Sequence, residues 1–153
     1  PSESLDDGRT AYSSYGSMTY QGLKSLLYAN VEKKDPRVQG AFKWISDNFT
    51  VTENPGMRTP GNPKAGLQGL YYYYHTFAKS LSVINLDHVE DSAGVKHDWR
   101  SELFDQLSKL QRPNGSFVNR APRWYEGDPN LSTAYILLAL KYCQPRPLKA
   151  AKR

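Results

Sequence analysis

Apolar positions recur at the helical period in five separate stretches of the chain. Over 17–29, Tyr20, Leu23 and Leu27 fall at i, i+3 and i+7 and line one helical face. Over 35–49, Val38, Ala41, Phe42, Ile45 and Phe49 do the same. Asp35-Pro36 opens that stretch with a capping carboxylate and a proline at the first helical position, where the absent N–H has no intrahelical partner to lose. The third stretch, 67–84, carries Leu67, Leu70, Tyr71, Tyr74, Ala78 and Leu81 on one stripe and Tyr73 and Phe77 on a second. A helix apolar on two faces is expected between neighbours. In the fourth, 98–111, Leu103, Leu107 and Leu110 point inward, Asp98 caps the start, and Pro113 with the Asn114-Gly115 turn stops it. The fifth begins at Asp128-Pro129, the cap chemistry of Asp35-Pro36 again, and carries Leu131, Ala134, Tyr135, Leu138 and Tyr142. No stretch alternates with period two. The pattern predicts an all-α fold of five main helices with long connections at 50–66, 85–97 and 112–127.

The helices echo one another. Ser17-x-x-Tyr20-x-x-Leu23 and Ser132-x-x-Tyr135-x-x-Leu138 superimpose, and each opens a helix after a loop. Such echoes predict an array of helical hairpins, each burying its apolar side against the next. The 153 residues are enough for one domain, with 39% hydrophobic and 23% charged residues. No run approaches the roughly 18 apolar residues of a membrane span. The single cysteine, Cys143, excludes an internal disulfide and a multi-thiolate metal site. Net charge is +5, and Arg146, Lys149, Lys152 and Arg153 account for all but one unit of it. The nearly neutral remainder argues against a surface that tracks nucleic-acid phosphates. The first sixteen residues, rich in Ser, Gly and Asp, read as an extended lead-in. The organisation expected is therefore a lead-in over 1–16, a helical repeat domain over 17–144 and a basic tail over 145–153.

Leu107-x-x-x-Gln111-x-x-Asn114-Gly115-Ser116-Phe117 resembles the Gln-Trp repeat of terpenoid cyclases and the related loops of protein prenyltransferase β subunits, with phenylalanine where the cyclases have tryptophan. Trp124-Tyr125-Glu126-Gly127-Asp128 followed by Ser132-Thr133-Ala134-Tyr135 resembles the way that superfamily enters its next helix. Asp35-Pro36-Arg37-Val38, Phe42-x-Trp44, Asn54-Pro55-Gly56 and the run from Gly69 to Thr76 are similar to bacterial proteins with prenyltransferase and squalene-oxidase repeats. The resemblance covers about 17–143. It implies an α/α toroid, with the helices near 17, 67 and 130 as an inner ring and those near 35 and 98 outside. Five helices make only part of such a ring, so it further implies that the chain is the C-terminal part of a longer ring or that a second chain completes it.

The resemblance also frames the chemistry. The Asp-x-Asp-Asp acid of class II cyclisation, the Asp-rich magnesium motif and the Asp-x-Cys pair of the prenyltransferase zinc site are all missing from the sequence; only His75 echoes the zinc histidine. A cyclase-like or prenyltransferase-like domain, inactive alone and with no cofactor or metal, is the first expectation. A non-catalytic binding module for an apolar, peptide or carbohydrate ligand is the second. Its cavity would be lined by Tyr71, Tyr74, Trp124, Tyr125 and Tyr135. Of the four consecutive tyrosines 71–74, set about 100° apart on a helix, at most two can face one cavity. A third expectation is a polysaccharide lyase-like enzyme in which Tyr74 and His75 are general acid and base and Arg123 neutralises a substrate carboxylate. Glu126 is the remaining catalytic candidate; beside Asp128 it forms the one loop carboxylate pair next to aromatics, as a glycosidase needs. His88 and His97 read as surface residues of a polar loop.

Overall fold

A computed structural model describes residues 2–4 and 6–144; the basic tail at 145–153 lies outside the described residues. The described residues are mostly helical. The five expected helices are α1 (Gly16–Tyr28), α2 (Pro36–Asp47), α3 (Leu70–Ile84), α4 (Trp99–Leu110) and α5 (Pro129–Cys143). The three aspartates expected as caps act as caps. Asp35 accepts from the Arg37 N–H, Asp98 from those of Arg100 and Ser101, and Asp128 from that of Asn130. α3 lies between α1 and α5, while α2 packs on α1 and α4 on α5.

The core follows the stripes. Tyr20 and Leu23 of α1, Tyr73, Tyr74, Phe77 and Leu81 of α3, and Trp99, Leu103 and Leu107 of α4 are all buried. α3 is buried on two sides, as its double stripe requires. It begins at Leu70 rather than 67, because Pro63–Leu67 forms a 3₁₀ turn that Gln68 ends in extended conformation, and Gly69 takes the left-handed conformation (φ 62°) just before α3. α5 departs from its expected face. Ser132, Ile136 and Ala139 are buried, whereas Leu138 is exposed and Tyr135 and Tyr142 are half-buried. This helix is apolar nearly all round, so period alone cannot choose the buried side.

Two small antiparallel hairpins stand where no strand was expected. β1 (Ser2–Ser4) pairs with β2 (Thr10–Tyr12) within the lead-in, and β3 (Val89–Glu90) pairs with β4 (Lys96–His97). Strands of two or three residues are too short for alternation to show.

His88 is exposed, as expected, but His97 is not a plain surface residue. Its Nδ1 lies 2.9 Å from Glu102 Oε1 on α4, its Nε2 lies 3.2 Å from Asp91 Oδ2, and its ring stacks on Phe49 at 4.2 Å between centroids. Burial disfavours the imidazolium, but the hydrogen bonds and charges of Asp91 and Glu102 outweigh it and hold the pKa above the usual 6.5. The stability that the protonated ring contributes is full below the unfolded-state pKa and is lost as pH rises through the higher folded value. The imidazole signals of His97 are therefore expected to titrate above 6.5, and the melting temperature to fall as pH rises through that titration. His97→Gln should flatten that fall; an unchanged slope in the variant would assign it elsewhere.

Candidate functional site

The N-terminal ends of α1, α3 and α5 converge beside a pocket of about 260 Å³. Tyr15, Met18, Tyr72, Trp124 and Tyr135, all partly exposed, are the walls of its lining, and the buried Ser17, Asn54, Gly69 and Glu126 are the floor. Each is placed by a local feature of the chain. Tyr15 precedes α1 in extended conformation (φ −144°, ψ 160°), and its side chain takes no part in capping. The next residue must be glycine, since a Cβ at Gly16 would stand 2.6 Å from the Tyr73 ring and 2.8 Å from Asn54 Oδ1. Asn54 caps α1 from the 50–66 connection: its Oδ1 accepts from the Ser17 N–H at 3.0 Å and its Nδ2 donates to Ser17 Oγ at 3.0 Å. Asn54 and Ser17 are both buried.

Glu126 does for α3 what Asn54 does for α1. α3 has no side-chain cap at Gly69. Instead Glu126 Oε1 accepts from the Tyr72 N–H at 2.8 Å, while Oε2 accepts from Asn119 Nδ2 at 2.6 Å. Its backbone carbonyl accepts from the Asn119 N–H at 2.9 Å and from Ser132 Oγ at 2.6 Å. The residue is 1% exposed. Burial pushes its carboxyl pKa up, and the hydrogen bonds from Tyr72 and Asn119 reverse only part of that rise.

The loop before α5 turns on two left-handed residues, Trp124 (φ 57°) and Tyr125 (φ 64°). Trp124 comes in over Gly69, where a Cβ would lie 2.9 Å from its ring, and Tyr125 is turned out to 84% exposure. The Arg123 guanidinium stacks on Trp124 at 4.3 Å from the ring centroid and donates to Gln68 Oε1 at 2.9 Å.

Of the residues expected at a site, Trp124, Tyr135 and Glu126 meet at this pocket. Tyr71 borders a different groove with Leu67, Lys109 and Arg120, and its hydroxyl donates to the Val118 carbonyl at 3.1 Å. Tyr74 is fully buried and donates to the Val51 carbonyl at 2.8 Å, so it lines neither space. Tyr125 points into solvent. His75 lies against Tyr135 and Tyr142, with ring centroids 6.2 and 6.4 Å away. Its Nδ1 is buried without a partner, and burial, then the charges of Lys79 and Lys24, push its pKa down.

Tyr74 and His75 therefore do not form the acid–base couple expected of a lyase. Adjacent helical residues point about 100° apart, and the Tyr74 hydroxyl is buried and bonded to the Val51 carbonyl. The Glu126 and Asp128 pair is likewise divided, each carboxylate capping a different helix. Among the described residues no three of His, Cys, Asp and Glu stand together as metal ligands.

Three wall residues, Tyr15, Met18 and Tyr72, and the cap Asn54 were not expected from sequence. Tyr72 had a signal, because it is the tyrosine of the run that belongs to neither apolar stripe of α3. Comparison with protein families, curated proteins and solved structures finds no match for the chain.

Proposed function

We propose that the chain is a helical-repeat binding module of the terpenoid cyclase and prenyltransferase-like kind. It holds an apolar, peptide or carbohydrate ligand at the aromatic pocket without acting on it chemically. The observation that carries this reading is the composition of the pocket: four aromatic rings and a methionine surround it, while its one carboxylate is occupied in capping α3. A pocket mostly apolar with few polar groups is the usual form of a small-ligand site. The placement of α3 between α1 and α5, with α2 and α4 on the outer members, supports a partial α/α toroid. Phe104 of α4 and Leu137 of α5, 55% and 61% exposed, offer apolar surface to the unit that would complete the ring, whether a preceding half or a second chain.

Titrating the chain with solubilised farnesol, a cello-oligosaccharide and an apolar peptide, and following tryptophan fluorescence, tests this directly. At least one class should give a saturable change that Trp124→Phe abolishes, with no product detectable by mass spectrometry. Chemical turnover of any of them, or a change that survives Trp124→Phe, would overturn it.

A further inference from the structure

The arrangement of charge around the pocket specifies the kind of group it takes. Tyr72 and Tyr135 meet edge to face, with centroids 5.7 Å apart and planes at 67°, and Tyr15 and Trp124 line the same pocket. At the base, Glu126 is buried and belongs to no ion pair among the described residues. The N–H groups of Tyr72 and Asn119 that its carboxylate accepts from favour the charged form against the burial that opposes it. That charge reaches the wall: the Tyr135 hydroxyl is held above its usual pKa by burial first and by Glu126 second.

The remaining polar side chains of the floor, Asn54 and Ser17, are bonded to each other. A ligand that needs a fan of directed hydrogen bonds, as a sugar does, is poorly served by such a floor. A group that carries positive charge on an apolar surface and needs no directed donor or acceptor is well served. Ring faces attract such a cation through their quadrupoles, most strongly where water is excluded. Among the described residues the lining holds no cation; Arg123 lies outside it and stacks on Trp124, already using that indole as a cation platform.

We propose that the pocket is an aromatic cage for an alkylated ammonium group on a small free molecule, held by Tyr15, Tyr72, Trp124 and Tyr135 and by the charge of Glu126. This rests on the reading of the pocket as a ligand site and names the group that enters it.

The test compares choline with its uncharged isostere 3,3-dimethylbutan-1-ol, titrated into the full chain and followed by chemical shifts of the Trp124 indole and the Tyr135 ring. Choline is expected to bind more than about tenfold tighter than the isostere. Tyr135→Leu and, independently, Tyr15→Leu should each weaken it by a similar factor with an unchanged far-ultraviolet circular dichroism spectrum. Equal binding of the two compounds would overturn the ammonium cage and leave the pocket standing as an apolar ligand site. Binding to phosphatidylcholine vesicles with none to choline would overturn the free ligand. No shift at either ring with choline, its isostere, farnesol, oligosaccharide or peptide would overturn the cage and the binding module together.

Discussion

Phe77→Ala is expected to lower the unfolding free energy by about 3–5 kcal/mol, close to the upper limit for removing one ring from a core. The ring is fully buried, and its centroid lies 5.1 Å from Tyr20, 5.6 Å from Tyr73, 5.8 Å from Trp99 and 5.9 Å from Phe49. It thus joins α1, α3, α4 and the segment after α2. The cost of a deletion depends on whether the walls can close on the space left behind. Here they are tethered. The Tyr73 hydroxyl donates to the Thr50 carbonyl at 2.7 Å and Trp99 Nε1 donates to the Leu86 carbonyl at 2.9 Å, so neither ring moves inward without giving up a hydrogen bond. Against a total stability of about 5–15 kcal/mol for a domain, this loss removes a large share. Urea unfolding should show it as a lower midpoint with an unchanged slope. Phe77→Leu, which retains most of the volume, should lose less than half as much. A loss below about 1 kcal/mol for the alanine variant would mean that the core is not organised around this ring.

The same residue illustrates what local pattern carries. Phe77 and Tyr73 form the second stripe of α3, and that stripe alone places α3 between neighbours, before any contact is known. The helix starts at Asp35, Asp98 and Asp128 were equally legible, because a cap acts on N–H groups two or three residues away. The parts that escaped depend on distant partners. Tyr71 and Tyr74 look like cavity residues until their hydroxyls find carbonyls 47 and 23 positions away. Asn54 caps a helix 37 positions before it, and Glu126 one 54 positions before it, with no motif joining donor to acceptor. Trp124 was legible as a site residue because it sits where a loop hands over to a helix, and Tyr135 because it lies in the second turn of the helix that follows. Tyr15 occupies the same kind of position ahead of α1, but inside a stretch whose polar composition read as lead-in.

Glu126→Ala is expected to cost about 2–4 kcal/mol, because it takes the acceptor from two donors at once. The Tyr72 N–H, in the first turn of α3, has no intrahelical partner to turn to. Asn119 Nδ2 keeps one bond, to the Leu67 carbonyl at 2.7 Å. Glu126→Gln separates shape from charge. Its carbonyl can still receive the Tyr72 N–H, but its amide then faces the Asn119 amide donor to donor. Asn119 cannot flip without losing its bonds to Leu67 and to the Ala121 N–H. The glutamine variant should therefore be less stable than the native protein, by about 1–2 kcal/mol in acid. The pH dependence then tells burial from capping. Burial holds the Glu126 carboxyl pKa above 4.5, so the folded state binds its proton more tightly than the unfolded state does. The stability linked to that proton is full below the unfolded-state pKa and is lost as pH rises through the raised folded one. Glutamine has no such proton, so the native protein's lead over Glu126→Gln should narrow as pH rises through that window, measured by paired urea titrations. A lead that widens instead would mean that the hydrogen bonds from Tyr72 and Asn119 outweigh desolvation, and that this carboxylate is held below its ordinary pKa rather than above it.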